Sequence, residues 1–310
     1  MKRAPQKEAI RLSKLLKIAL GENRFPVDVA LLAKEISKNN PDPIDKVVGG
    51  DLPGCEGMLR PHSKRPAWHI VYNDDPKYDG RNRFTMAHEL AHYQLHRPTL
   101  TEQNYISGTL DNDALFQCKP MQSNTWKEAE QQREEEADTF ASFLLMPIDD
   151  FRAQVSGQSM SAELLTHVTD RYGVSLTAAA LKWIEFTDTR AAMVVSRDGF
   201  ALWGRASKPA YKSGIFVRSG MALPELVANE IESSSRGFLS DTPIERPKGV
   251  WVFSRGSEPV QELTLRSEFL DLSISILQFQ RTHFSASGED PREWDAFDQF
   301  NSNGRLATSK

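Results

Sequence analysis

Apolar residues recur three and four apart over residues 6–20, and again over 27–38. Gly21 ends the first run and Asn39-Asn40-Pro41 the second, so both predict helices. Short strand-like runs follow at 46–50, 56–60 and 67–73. In the last, Trp68, Ile70 and Tyr72 alternate with His69 and Val71, the two-residue period of a half-buried strand. A helix from about 80 is closed by Pro98, an irregular stretch covers 99–126, and a helix over 127–145 stops at Pro147. Residues 161–172 and 175–186 predict two more helices, split by Tyr172-Gly173 with Ser175 as N-cap. From 191 the period shortens to two. AAMVVSRDGFALWGRA predicts a hairpin turning at Arg197-Asp198-Gly199, and GVWVFS and LSISILQFQ predict further strands. From about 284 the chain is polar and reads as a tail.

This order predicts an α+β protein. Its 310 residues can bury a real core. The expected parts are a mixed domain over 1–150, a helical connector over 151–188, a β-rich domain over 189–283 and the tail over 284–310.

A charged fraction of 26% and a net charge of −4 describe neither a nucleic-acid coat nor a membrane surface. No apolar run approaches the roughly 18 residues of a membrane span. The basic, amphipathic start MKRAPQKEAIRLSKLLKIAL forms no signal-peptide core, because Lys14 and Lys17 interrupt it. Cys55 and Cys118 make no disulfide framework in so long a chain, so the expected compartment is the reducing cytoplasm.

The helix near 80–98 contains FTMAHELAHYQLH, three histidines and a glutamate where apolar residues would serve packing better. Residues four apart share a helix face, so His88 and His92 can present their imidazoles to one point. Zn²⁺ asks that of two ligands. Glu89, one position on, sits beside such a metal and can take a proton from water. With seven His in the chain, H-E-x-x-H arises by accident in about one such chain in a hundred. A third ligand is expected from KEAEQQREEEADTFASFLLMP, residues 127–147. Its apolar face (Ala137, Phe140, Ala141, Leu144, Leu145) favours Glu134, three residues before Ala137, with Glu135 and Glu136 as alternatives. Asp138, one turn on, can hydrogen-bond a ligand His from behind.

FTMAHELAHYQLH followed by EEEADTFASFLLMP resembles the ImmA/IrrE metallo-endopeptidases. The lead-in RFPVDVALLAKEI and the strand WHIVYN extend the likeness over 25–186. The resemblance implies a zincin-type domain over 1–150 with one zinc, and it places the third ligand on Glu134. It also implies a helix-turn-helix repressor as substrate, whose cleavage releases the silenced genes. YGVSLTAAALKWIEFT and AAMVVSRDGFALWGRAS resemble the two-domain, CapP-like members that accompany CBASS antiphage defence and respond to DNA damage. In some members the C-terminal part is a GAF-like sensor. The F-x-C segment of CapP-like members is linked to a cysteine switch, which would make Cys118 an inhibitory fourth zinc ligand; a buried thiol is the plain alternative.

Other candidates carry less. His96 reads as structural, a turn too far down the axis to be a ligand. His62, His69, His167 and His283 lack partners at any ligand spacing and read as ordinary surface histidines. The helices at 161–186 have a helix-turn-helix look, but the second carries Leu176, Ala179, Ala180, Leu181, Trp183 and Ile184 with only Lys182 basic. A base-reading helix needs polar side chains, so these read as connectors. Residues 197–218 set Arg197, Arg205, Lys208, Lys212 and Arg218 among Trp203, Tyr211 and Phe216. That mixture suits single-stranded DNA, but a solvated strand face over a core gives the same composition and is the favoured reading. The expected mechanism is metal-assisted hydrolysis, with a substrate peptide pairing along the edge of the Trp68, Ile70, Tyr72 strand. The sequence does not identify the oxyanion donor; Tyr93 and Tyr105 are no more than guesses. The rivals are a zinc-stabilised module that sequesters a repressor and a DNA-binding regulator with structural zinc. Neither needs Glu89.

Overall fold

The computed structural model describes residues 4–52, 54–75, 77, 79–106, 116–118, 127–235, 237–253, 256–267 and 271–280. The expected tail, His283 and most of 107–126 lie outside the described residues. Chain contacts group Met1–Phe279 as one unit and Gln280–Lys310 as another; in the second only Gln280 is described, and it is exposed.

Helix α1 (Pro5–Leu20) and helix α2 (Val29–Ser37) form where the periodicity predicts them. Pro5 occupies the first turn of α1, where no N–H is needed, and the Asp28 carboxylate accepts the Leu31 N–H at 2.8 Å to cap α2. Strands β1 (Ile44–Gly50), β2 (Gly57–Pro61) and β3 (Trp68–Asn73) follow, then α3 (Asp79–Ala91). The helix runs on as a π turn over His92–His96, closed by the Arg97 N–H donating to the His92 carbonyl at 2.9 Å. A short α4 (Glu102–Ile106) and strand β4 (Phe116–Cys118) interrupt the stretch expected to be irregular.

The first sheet has the order β1-β3-β2-β4, with β1 parallel to β3 and the other pairs antiparallel. This corrects one expectation. The Trp68, Ile70, Tyr72 strand is not an edge, because β1 and β2 already satisfy both of its sides. Its alternation was misleading: Val71, on the supposedly wet face, is also buried.

Helix α5 (Lys127–Leu145) lies against α3 and α1. Its face of Ala137, Phe140, Ala141, Leu144 and Leu145 is fully buried, as the pattern requires. After α6 (Ile148–Val155) come α7 (Ala162–Tyr172) and α8 (Leu176–Phe186). The Ser175 hydroxyl accepts the Ala178 N–H and caps α8, whose Ala179, Ala180, Trp183 and Ile184 are core residues. Gly80 explains how α3 is held: a Cβ there would come within 2.6 Å of the Ser175 backbone nitrogen. The start of α3 therefore rests on the α7–α8 turn, and the Arg83 guanidinium fastens it by donating to the Gly173 carbonyl.

The second sheet runs β6-β5-β10-β9-β7, with β8 beside β9, all antiparallel. Its members are β5 (Ala191–Arg197), β6 (Phe200–Ala206), β7 (Gly237–Phe238), β8 (Ile244–Arg246), β9 (Val260–Arg266) and β10 (Ser273–Phe279). Asp198 and Gly199, at φ +49° and +77°, make the predicted hairpin turn. Helices α9 (Lys208–Lys212) and α10 (Glu225–Ser233) cover one face. β10 is buried at every position, as expected where both faces are packed. GVWVFS is not a strand: Gly249 at φ +102° turns the chain, and Trp251 drops into the core to donate its indole N–H to Glu262 at 2.9 Å. One apolar core extends from α1, α3 and α5 through α7 and α8 to β5, β9 and β10.

Candidate metal centre

His88 and His92 project from one face of α3 toward α5, which offers Glu134 in return. His88 Nε2 lies 3.0 Å from His92 Nε2 and 3.1 Å from Glu134 Oε2, and His92 Nε2 lies 3.4 Å from Glu134 Oε1. Two imidazole nitrogens and a carboxylate thus face a single point. Around a tetrahedral zinc with bonds of about 2.0–2.1 Å, neighbouring ligand atoms stand about 3.3 Å apart. The three separations bracket that value, so the residues fit a zinc-sized cation.

Both rings are held from behind. The Asp138 carboxylate pairs with His88 Nδ1 at 2.9 Å, the arrangement that fixes which nitrogen faces the centre. His92 Nδ1 lies 3.0 Å from His96 Nδ1, and His96 Nε2 lies 3.0 Å from Glu136 Oε2. His96 is not among the converging groups, but it carries a contact the spacing rule missed. The π turn widens the helix and tips the His96 ring back onto His92. Glu135 is directed away, bonded by Gln131 on the exposed side.

Charge follows from this geometry. Burial opposes a proton on His88, but the hydrogen bonds to Asp138 and Glu134 outweigh it and raise its pKa to about 10. Burial, then the charges of His88, His96 and Arg133, push His92 down to about 2.

Glu89 is fully buried, yet with His88 it lines an open cleft bounded by Glu56, Arg81, Phe84 and Thr85. Gly57 on β2 makes room for it: a Cβ there would lie 2.4 Å from Thr85 Cγ2 and 2.9 Å from Glu89 Oε1. Gly57 in turn pairs with Cys118 of β4, so the Cys118 backbone is one strand away from Glu89. The Cys118 side chain lies outside the described residues, as does that of Tyr105. Tyr93 does not face the cleft, because its buried hydroxyl donates to the Asp42 carbonyl at 3.1 Å.

The other candidates fall elsewhere. Arg197, Arg205, Lys208, Lys212 and Arg218 are exposed along β5, β6, α9 and the chain after it, near the exposed rings of Trp203 and Phe216. Lys182, the only basic residue of α8, is buried and donates to Ser142 Oγ at 3.0 Å. His62 and His69, expected to lack partners, come together with Asp45. The β2–β3 hairpin brings them close, which spacing along the chain does not show. Among the described residues, no helix is long and apolar enough to cross a membrane.

Comparison with known proteins adds the following. The peptidase M78 family model, the IrrE N-terminal-like domain, matches residues 55–183, a span that holds His88, Glu89, His92, Glu134 and Asp138. No curated protein matches the chain. Among solved structures, a Mycobacterium tuberculosis transcriptional regulator is similar at 15% identity and a TM-score of 0.49, covering 92% of each chain. That likeness is too slight to carry an argument.

Proposed function

With its peptidase M78 domain over residues 55–183 the chain is a member of the ImmA/IrrE family, and from that premise we propose a zinc-dependent endopeptidase that cuts a helix-turn-helix repressor. The convergence of His88, His92 and Glu134 beside the buried Glu89 carries this reading. The three converging residues would hold the zinc. When bound, zinc supplies Lewis acidity for the scissile carbonyl and for water. Glu89 accepts the proton of the attacking water at the cleft floor and passes it to the leaving amine. Asp138 keeps the His88 ring oriented. A centre with a purely structural role would not need a carboxylate in that position, which disfavours both sequestration and a DNA-binding regulator.

In this reading 1–150 is the peptidase part, 151–188 the connector and 189–283 the sensor. Since β3 is central, the substrate segment pairs instead at β4, the edge nearer Glu89. A strand-pairing site captures extended segments, so cleavage is selective. Single-stranded DNA on Arg197, Arg205, Lys208 and Lys212 is the proposed activating signal, and Cys118 the proposed restraint on the zinc. One cleavage assay tests these together, with casein and the helix-turn-helix protein of the adjacent gene as substrates. The expected result is one or a few cuts in the repressor and none in casein; equal digestion of both would refute the selectivity. Single-stranded DNA should raise the rate, less so at high salt, and Arg205→Glu with Lys212→Glu should remove the rise. Cys118→Ser should raise the basal rate. A flat rate in either arm removes that part of the proposal.

A further inference from the structure

Away from this centre, the hairpin joining β2 to β3 gathers a second set of ligand-type side chains. His62 stands in the turn, His69 on β3 and Asp45 on the neighbouring β1, with donor atoms within 4.8 Å of one another. His69 is three residues along β3 from Tyr72, the partner of Gly57 beside Glu89. At about 3.3 Å per residue the two places are about 10 Å apart along the strand.

His69 is the informative member. Its side chain is 12% exposed, and its Nε2 is buried with no hydrogen bond to satisfy it. Asp45 Oδ2 stands 3.5 Å from that nitrogen, close to the separation expected of two ligands on one tetrahedral metal. A buried polar nitrogen left in this way is costly unless something binds it. Burial lowers the His69 pKa, the nearby Asp45 carboxylate works against it, and His62 and Arg60 add to the lowering. In its neutral form the ring has a lone pair to offer.

We propose that His62, His69 and Asp45 form a second site, for a first-row divalent transition cation such as zinc, which ties β1 to the β2–β3 turn. Two imidazoles and one carboxylate are the donor set such ions take, with water completing the shell. Occupation breaks two contacts. Arg65 Nη2 now holds Asp45 Oδ2 at 2.8 Å, and the Lys64 N–H donates to His62 Nδ1 at 3.0 Å. Both are solvent-exposed contacts, the kind worth least in water. The Arg65 guanidinium, 58% exposed, occupies the carboxylate where the cation's charge would act. It is a competitor that a metal can displace.

The test counts zinc in a His88→Ala/His92→Ala background, which clears the first centre and so separates the two readings. The apo form of this variant, titrated with Zn²⁺ by calorimetry, should bind one equivalent and melt at a higher temperature when loaded. Adding His69→Ala or His62→Ala should weaken that binding at least tenfold; His62, in the turn rather than on the strand, serves if His69→Ala fails to fold. Arg65→Ala should tighten it several-fold, an effect that a merely structural Arg65 would not produce. A background protein that binds no zinc, or that keeps its equivalent after both histidine changes, overturns the proposal. So does an Arg65→Ala variant with unchanged affinity.

Discussion

His88 and His92 each use one ring nitrogen toward the centre and one away from it, and the outward nitrogen decides how well the inward one is aimed. For His88 the outward partner is Asp138, and for His92 it is His96, itself bonded to Glu136. Removing such a partner typically costs 10- to 100-fold in metal affinity, because the ligand ring loses both its tautomer and its orientation. Asp138→Ala and His96→Ala should each weaken zinc binding by about that factor in a chelator competition; unchanged affinity in His96→Ala would show that its contact only packs the helix. The two residues differ in how readily the sequence shows them. Asp138 follows from Glu134 by one helical turn on a face fixed by five buried residues. His96 depends on the π turn, whose wider spacing no 3.6-residue pattern announces. Arg97, before Pro98, is driven to extended backbone at ψ 145°, so the helix has to end within that turn.

Elements were legible where periodicity and burial agree. α5 is such a case, with an apolar stripe that is the buried face. β9 is the opposite case: VQELTLR places Glu262 and Thr264 inward, so it does not read as a buried strand. The interior tolerates them because Glu262 takes Arg246 Nε at 3.0 Å, the Trp251 indole and the Thr264 hydroxyl. Lys182 on α8 is a similar exception, lying 3.7 Å above the Phe143 ring and bonded to Ser142 of α5. Burial lowers its pKa to about 8, with Glu185 pulling the other way. The sign follows from proton counting. Between about 8 and the ordinary lysine value of about 10.4 the unfolded chain holds a proton that the folded chain has released, so stability rises with pH there. Below about 8 the full penalty persists. Lys182→Met should therefore stabilise the protein at pH 7 by about 1–2 kcal/mol, the desolvation penalty less the lost cation–π contact. Denaturant unfolding at pH 7 and 10 should show that advantage shrinking as pH rises. A destabilised variant at pH 7 would mean that the ring contacts outweigh the burial.

For the molecule as a whole, the site and the second sheet are parts of one packed unit. The start of α3 rests on the α7–α8 turn through Gly80 and Arg83, and α8 packs against β5 and β6, where the basic and aromatic side chains are exposed. A ligand that moved β5 and β6 would reach the first-centre helix through two contacts, which is the physical basis for a sensor acting on the site. That coupling presupposes a hydrolytic centre, and the measurement that bears on it most directly is Glu89→Gln. Glutamine keeps the size and polarity of Glu89 but cannot accept a proton. Purified wild type and variant should each carry zinc on His88, His92 and Glu134, and only the wild type should cut the repressor. Wild-type cutting by Glu89→Gln at an unchanged zinc content would contradict the account.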